Sequence, residues 1–239
     1  MEWRRSLSWN PSSLGWRIAA LFMTGSLIFA VGSFPPYAET VDPAIVGVTF
    51  FLGSIVFTSA SYSQFLQTIN GTDSGSRSPE SGFRFLAWQP RRVLYWATLI
   101  QLAGTLFFNA STFHAMATNL STGESNRLVW APDFFGSIAF LAASHLAWMF
   151  VCKRLWCLQR DCRDWWVAAL NYVGSIFFML SAIGAFTQPA TDELVNARLA
   201  NTATFVGAVC FFAGAYLLLP ASRDGDGRRH GRERQSEGS

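Results

Sequence analysis

Charge is what this sequence lacks. Only 14% of its 239 residues are Asp, Glu, Lys or Arg, against about a quarter in an ordinary soluble domain. The shortage is concentrated in six runs with no charged residue at all: 18–38, 43–72, 93–123, 134–152, 165–191 and 199–222, together 152 residues. A bilayer core roughly 30 Å thick needs about 20 apolar residues at ~1.5 Å rise each, and each run is about that long or longer. This excludes a soluble enzyme domain, a nucleic-acid binder and a disordered chain. Four cysteines in the whole chain are too few for a secreted disulfide scaffold. Proline is absent from the run centres and marks their edges instead: Pro35, Pro36 and Pro43 bracket the first connection, Pro90 and Pro132 precede runs, Pro189 and Pro220 follow them. At a helix centre each would remove a backbone hydrogen bond that lipid cannot replace. No G-x-x-x-x-G-K-S/T, H-E-x-x-H or G-x-S-x-G pattern occurs, and the polar segments are too short for a cofactor domain. No catalytic, cofactor-binding or metal-ligating residue is therefore assigned, and enzymatic activity is not expected.

The reading is an all-α membrane protein of six transmembrane helices, at about 17–34, 44–66, 93–113, 132–152, 165–187 and 198–219. Residues 1–16 form an N-terminal segment, 17–220 the transmembrane domain, and 221–239, rich in Arg, Asp, Glu and Gly, a disordered tail. Six crossings put both termini on one side. That side carries 16 of the 18 basic residues, and only Arg127 and Arg198 lie opposite. The positive-inside rule then makes the termini cytoplasmic, in the cell (inner) membrane. The cytoplasmic face should meet anionic headgroups, at about 1 kcal/mol per basic residue near the surface. The first run is too long for a signal-peptide core, and Phe34, Pro35 and Pro36 replace a small-residue cleavage site. It reads as a retained helix. Tryptophans such as Trp16, Trp96, Trp130, Trp148 and Trp165 fall near span ends, where amphipathic rings are favoured. Residues 71–82 read as a mobile polar loop and Phe83–Trp88 as an interfacial segment.

Beyond hydropathy, the sequence repeats. Each span carries one version of a nine-residue motif: GSLIFAVGS (25–33), GSIVFTSAS (53–61), GTLFFNAST (104–112), GSIAFLAAS (136–144), GSIFFMLSA (174–182) and GAVCFFAGA (207–215). The first position is Gly25, Gly53, Gly104, Gly136, Gly174 or Gly207. Four residues on stands Phe29, Phe57, Phe108, Phe140, Phe178 or Phe211. Seven on stands a small residue: Gly32, Ala60, Ser111, Ala143, Ser181 or Gly214. At about 100° per residue, positions seven apart come within ~20° of each other, with the Phe about 40° away. Each helix should present a groove beside a ring, and small residues let backbones approach in lipid. Odd spans match one another best, as YWATLIQLAGTLFF (95–108) over WWVAALNYVGSIFF (165–178), which aligns Gln101 with Asn171. Even spans align Tyr62, His145 and Tyr216. The chain reads as three related helical hairpins.

These paired spans with Gly-Ser-x-x-Phe resemble the YrhK-like domain, a small bacterial two-helix membrane module, most closely over residues 16–66. The whole chain is also similar to a group of actinobacterial multi-pass integral membrane proteins. The resemblance implies a membrane location and a helical hairpin, and it carries over no functional residue.

Ionisable groups inside membranes are functional candidates by default. His145 is one, although its aligned partners Tyr62 and Tyr216 argue for a ring near an interface. Gln101 and Asn171 lie near mid-span and can bond across helices or line a polar path with Ser54, Ser111 and Ser181. Asp133, after Pro132, suits a helix N-terminus. Cys152, Cys157 and Cys162 recur every five residues, a spacing that fits no metal cage; on the reducing side they should be free thiols. The function expected is that of a non-enzymatic integral membrane protein acting as a scaffold, accessory subunit or lipid-facing module. It has no cofactor and no nucleic-acid partner, and a protein partner or homo-oligomer is open. The alternative is a small transporter or channel with a polar path through Gln101, Asn171 and His145. A cavity crossing the bundle would favour that alternative, and a closed core the first reading.

Overall fold

Each charge-free run contains one long helix in the computed structural model, which describes residues 9–71, 83–117 and 119–219. The expected mobile loop beyond Gly71, the arginines Arg4 and Arg5 and the tail lie outside those residues. The spans are Leu14–Ser33, Pro43–Asn70, Val93–His114, Ala131–Cys152, Arg163–Gly184 and Ala197–Leu218, and all six are long and apolar enough to cross a membrane. They are referred to below as the first to sixth spans. Local chemistry sets their starts. The Ser13 hydroxyl accepts from the Trp16 backbone N–H at 3.1 Å. Asp42 accepts from Ala44 N–H, with Pro43 opening the helix. The Asn196 amide oxygen accepts from Leu199 N–H. Each supplies an acceptor to a helix N-terminus that otherwise leaves backbone donors unpaired.

Two helical pieces lie between the spans. Pro35–Thr40 makes a short helix between the first and second. A capping box at Ser121 and Glu124 starts another at Thr122, which passes through a π-helical turn, Ser125–Trp130, directly into the fourth span. The loop before the sixth span docks on this lead. Asn126 exchanges two hydrogen bonds with the Thr187 backbone, Thr122 donates to Asp192, and Trp130 Nε1 donates to Ala182 O at 2.9 Å.

Each span packs against its neighbours in sequence, and the sixth closes on the first. The result is a ring of six antiparallel neighbours, made of three hairpins: first with second, third with fourth, fifth with sixth. About a third of each span is buried inside the ring. The outward faces carry exposed apolar residues, including Leu27, Leu52, Leu106 and Val209, a surface of the kind lipid covers. The face holding both chain ends is called here the terminal face, and the other the opposite face.

Candidate functional site

All eighteen motif positions, Gly, Phe and small residue in each of six spans, are buried. Within each hairpin the two motif glycines cross and each receives the partner's phenylalanine. A Cβ placed on Gly25 would lie 3.0 Å from the Phe57 ring and 3.3 Å from Gly53 O, and one on Gly53 would lie 3.0 Å from Phe29. The pattern recurs between Gly104 and Phe140, Gly136 and Phe108, Gly174 and Phe211, and Gly207 and Phe178. An added methyl would press on a neighbour at all six points, most severely at Gly207, 2.6 Å from Phe178, which is how glycine lets the paired helices approach so closely.

The six phenylalanines meet on the axis in one buried cluster. Ring centroids are 5.0 Å apart for Phe108 and Phe140, 5.1 Å for Phe178 and Phe211, 5.7 Å for Phe57 and Phe211, and 6.1 Å for Phe29 and Phe178. These separations lie in the favourable range for aromatic pairs. The space left among Phe29, Phe57, Phe108, Phe140, Phe178, Ser54 and Thr105 is about 10 Å³. That is no more than the ~10–15 Å³ a single water needs. The axis is closed at mid-bundle.

One turn from the plug toward the terminal face, Gln101 and Asn171 line a second cavity of about 30 Å³, with Phe22, Gln64, Phe211, Ala215 and Leu218. Phe22, Gln101 and Asn171 each stand three residues before a motif glycine, so the hairpin repeat brings them to one level. Gln64 was not singled out in the sequence, yet its Oε1 is buried with no hydrogen-bond partner. The corresponding positions of the even spans are Phe50, Asp133 and Thr204. There a Cβ placed on Gly32 would lie 3.1 Å from the Phe50 ring, and Thr204 bonds to the Ser181 hydroxyl at 2.6 Å. Ser111 donates to Val129 O. His145 lies apart from both cavities, with its ring 5.7 Å from Tyr172 and 6.2 Å from Trp156. Among the described residues, the polar residues named from sequence thus fall in separate local environments: Gln101 and Asn171 share one small cavity, Ser54 borders the ring cluster, and His145 packs among Tyr172 and Trp156.

A second set of positions went unread in the sequence. Directly after each motif glycine stands Ser26, Ser54, Thr105, Ser137, Ser175 or Ala208, and seven later Ser33, Ser61, Thr112, Ser144, Ala182 or Ala215; all twelve are buried. They form the seams between hairpins. Ser54 and Thr112 share a hydrogen bond of 2.9 Å between the second and third spans, and Ser144 and Ser175 one of 2.7 Å between the fourth and fifth. At the seam of the sixth and first spans the sixth carries only alanines, and Ser26 Oγ has no partner. The signal was present: these are the second and ninth positions of the nine-residue motif, and they keep the same seven-residue spacing.

The cysteines correct the sequence reading. Cys152 and Cys157 are joined in a disulfide, with Cα atoms 5.5 Å apart, whereas Cys162 and Cys210 are free. A continuing helix would have fanned these thiols apart. The fourth span ends at Cys152 because Lys153 takes a left-handed conformation, φ 53°, and the chain turns back. Cys157 then returns to a cluster of Trp148, Cys152, Trp165 and Ala168, which Cys162 also borders. Trp165 Nε1 donates to Cys157 O at 3.0 Å. Among the described residues no group of three His, Cys, Asp or Glu could hold a metal ion.

Compared with known proteins, the chain matches no protein-family model, no curated protein and no solved structure.

Proposed function

We propose that this chain is a non-enzymatic protein of the cell inner membrane, with both termini cytoplasmic, that serves as a scaffold or accessory subunit through its lipid-facing surface. The observation that carries the reading is the phenylalanine cluster on the axis. A conduit needs a wettable path, and six rings from six helices occupy the place where it would run. With the axis closed, the surface left for recognition is the exposed apolar rim of the ring, at residues such as Leu27, Leu52 and Leu106, and its basic face. The 16 to 2 distribution of basic residues supports the orientation and an affinity for anionic headgroups. The resemblance of residues 16–66 to the YrhK-like hairpin fits a chain built from three such units.

Two measurements test this. Purified protein in proteoliposomes should give no ion or small-solute flux above empty vesicles. Purification from native membranes in mild detergent should retain a stoichiometric protein partner, lost when exposed ring positions such as Leu106 and Phe107 are exchanged for polar residues. Protein-dependent flux abolished by Asn171→Leu would refute the reading in favour of transport. Labelling of a cysteine placed in the tail from outside intact cells would refute the orientation.

A further inference from the structure

The disulfide closes a short ring of chain, Cys152 to Cys157, at the terminal end of the fourth span. Within that ring Trp156 lies against three aromatic neighbours, with centroids 5.9 Å from Trp148 and 6.2 Å from both Tyr172 and His145. Cys152 is buried, and Cys157 is partly open to solvent. Lys153 and Arg154 occupy the ring, Arg160 and Arg163 follow it, and all four are on the face to which the charge distribution assigns the cytoplasm. Disulfides that persist for structure belong to oxidising compartments, and those of the cytoplasm are mostly transient and redox-sensing.

We propose that Cys152 and Cys157 form a reversible thiol–disulfide site, opened by a cytoplasmic dithiol reductant and closed again by an oxidised partner of the same class. This rests on the orientation given above. In opening, a thiolate of the reductant attacks the accessible Cys157 Sγ; the Cys152–Cys157 bond breaks, and Cys152 leaves as a thiolate that takes up a proton. The second thiol of the reductant attacks the mixed disulfide, releasing Cys157, which is protonated in turn. Two electrons and two protons reach the chain, and the reductant becomes a disulfide. Closing is the reverse. The open form loses the cross-link that holds Trp156 over His145, Trp148 and Tyr172, so the site couples the redox state of the cytoplasm to the inner rim of the fourth and fifth spans.

Differential alkylation of the full chain in intact cells tests this. Free thiols are blocked with a permeant maleimide, disulfides are then reduced and labelled with a heavy maleimide, and tryptic peptides are quantified. Cleavage after Lys153 and Arg154 leaves the two cysteines on separate peptides, so the oxidation of each is quantified separately, and a parallel digest without reduction reads their linkage as one cross-linked peptide pair. The ratio of oxidised to reduced pair should follow the imposed thiol poise, changing about tenfold for each 30 mV, and should fall again when reductant is restored. Cys162→Ser should retain the response, and Cys152→Ser should abolish it at Cys157. A parallel arm labels the loop with an impermeant maleimide in intact cells and in inverted vesicles. If the loop labels only from outside, the orientation is wrong and the reversible site falls with it. If it is cytoplasmic and the pair stays wholly reduced under oxidant, or wholly oxidised under reductant, the orientation stands and the redox site is refuted.

Discussion

Gly207→Ala adds one methyl group at the tightest glycine contact in the bundle. The new Cβ would stand 2.6 Å from Phe178 Cδ1, 2.8 Å from Cε1 and 3.0 Å from Gly174 O. Carbon atoms settle about 3.5–4.0 Å apart, so about 1 Å must be made. Phe178 cannot swing aside, because Phe211 at 5.1 Å, Phe108 at 5.9 Å and Phe29 at 6.1 Å hold its ring in the plug. The carbonyl of Gly174 belongs to the facing helix backbone. The fifth and sixth spans must therefore separate, at an overpacking cost of about 1–3 kcal/mol or more. Helix propensity works the other way, favouring Ala over Gly by about 0.8–1.0 kcal/mol. The net expectation is a loss of up to about 2 kcal/mol, larger if the plug itself must repack. Gly174→Leu and Gly104→Leu, with neighbours at 3.0 Å, should lose more, and Leu99→Ile far less.

Thermal aggregation in mild detergent measures this, with Gly123→Ala as control, since no atom lies within 4 Å of its added methyl. Phe178→Leu shortens the obstructing ring, so the double variant with Gly207→Ala should lose at least about 1 kcal/mol less than the sum of the singles. If Gly207→Ala melts with the wild type and shows no coupling to Phe178→Leu, the crossing is not close-packed and the hairpin account loses its physical basis.

Two further features give testable outcomes. Lys153 adopts a left-handed conformation that costs a non-glycine residue about 1–2 kcal/mol, so Lys153→Gly should raise the melting temperature in the disulfide-bonded protein; a fall would mean that the Lys153 side chain supports the turn. The buried Ser144–Ser175 bond should contribute about 0.6–2 kcal/mol, lost in either single alanine variant. The double alanine variant should lose less than the sum of the singles, because either substitution alone already removes the shared bond, and additive losses would place the effect elsewhere.

The spans were legible because lipid permits few solutions: a charge-free run of this length must satisfy its backbone as helix. The Gly–Phe pairs were legible because a residue's angular position on a helix follows from spacing alone. What spacing cannot give is the partner across a gap. Gln64 sits near the end of an unusually long second span, where sequence suggests an interface, and only the ring closure turns it toward Gln101 and Asn171. The disulfide was illegible for a sharper reason. Steps of five scatter thiols as long as the helix continues, and whether it continues past Cys152 depended on one residue, Lys153, with no glycine to announce the turn. The capping box at Ser121 and Glu124, by contrast, is a plain S-x-x-E signal that marks the helical lead into the fourth span.

The plug itself is a consequence of direction as much as of composition. Neighbouring spans run oppositely and cross at their motif glycines, so a residue four positions after the glycine heads toward the opposite face on an odd span and toward the terminal face on an even one. Because the displacement is only about one turn, ~6 Å at 1.5 Å per residue, rings from both sets still meet around one level. The residues three before the glycine separate instead: Phe22, Gln101 and Asn171 go toward the terminal face, and Phe50, Asp133 and Thr204 toward the opposite one. A repeat that is symmetric in its apolar positions thus yields two chemically different halves, with amides on the side of the basic loops and a carboxylate and hydroxyls on the other. Repacking the rings would act on the closed axis where the two halves meet, whereas exchanging Gln101 and Asn171 with Asp133 and Thr204 would move the amides to the face away from the basic loops.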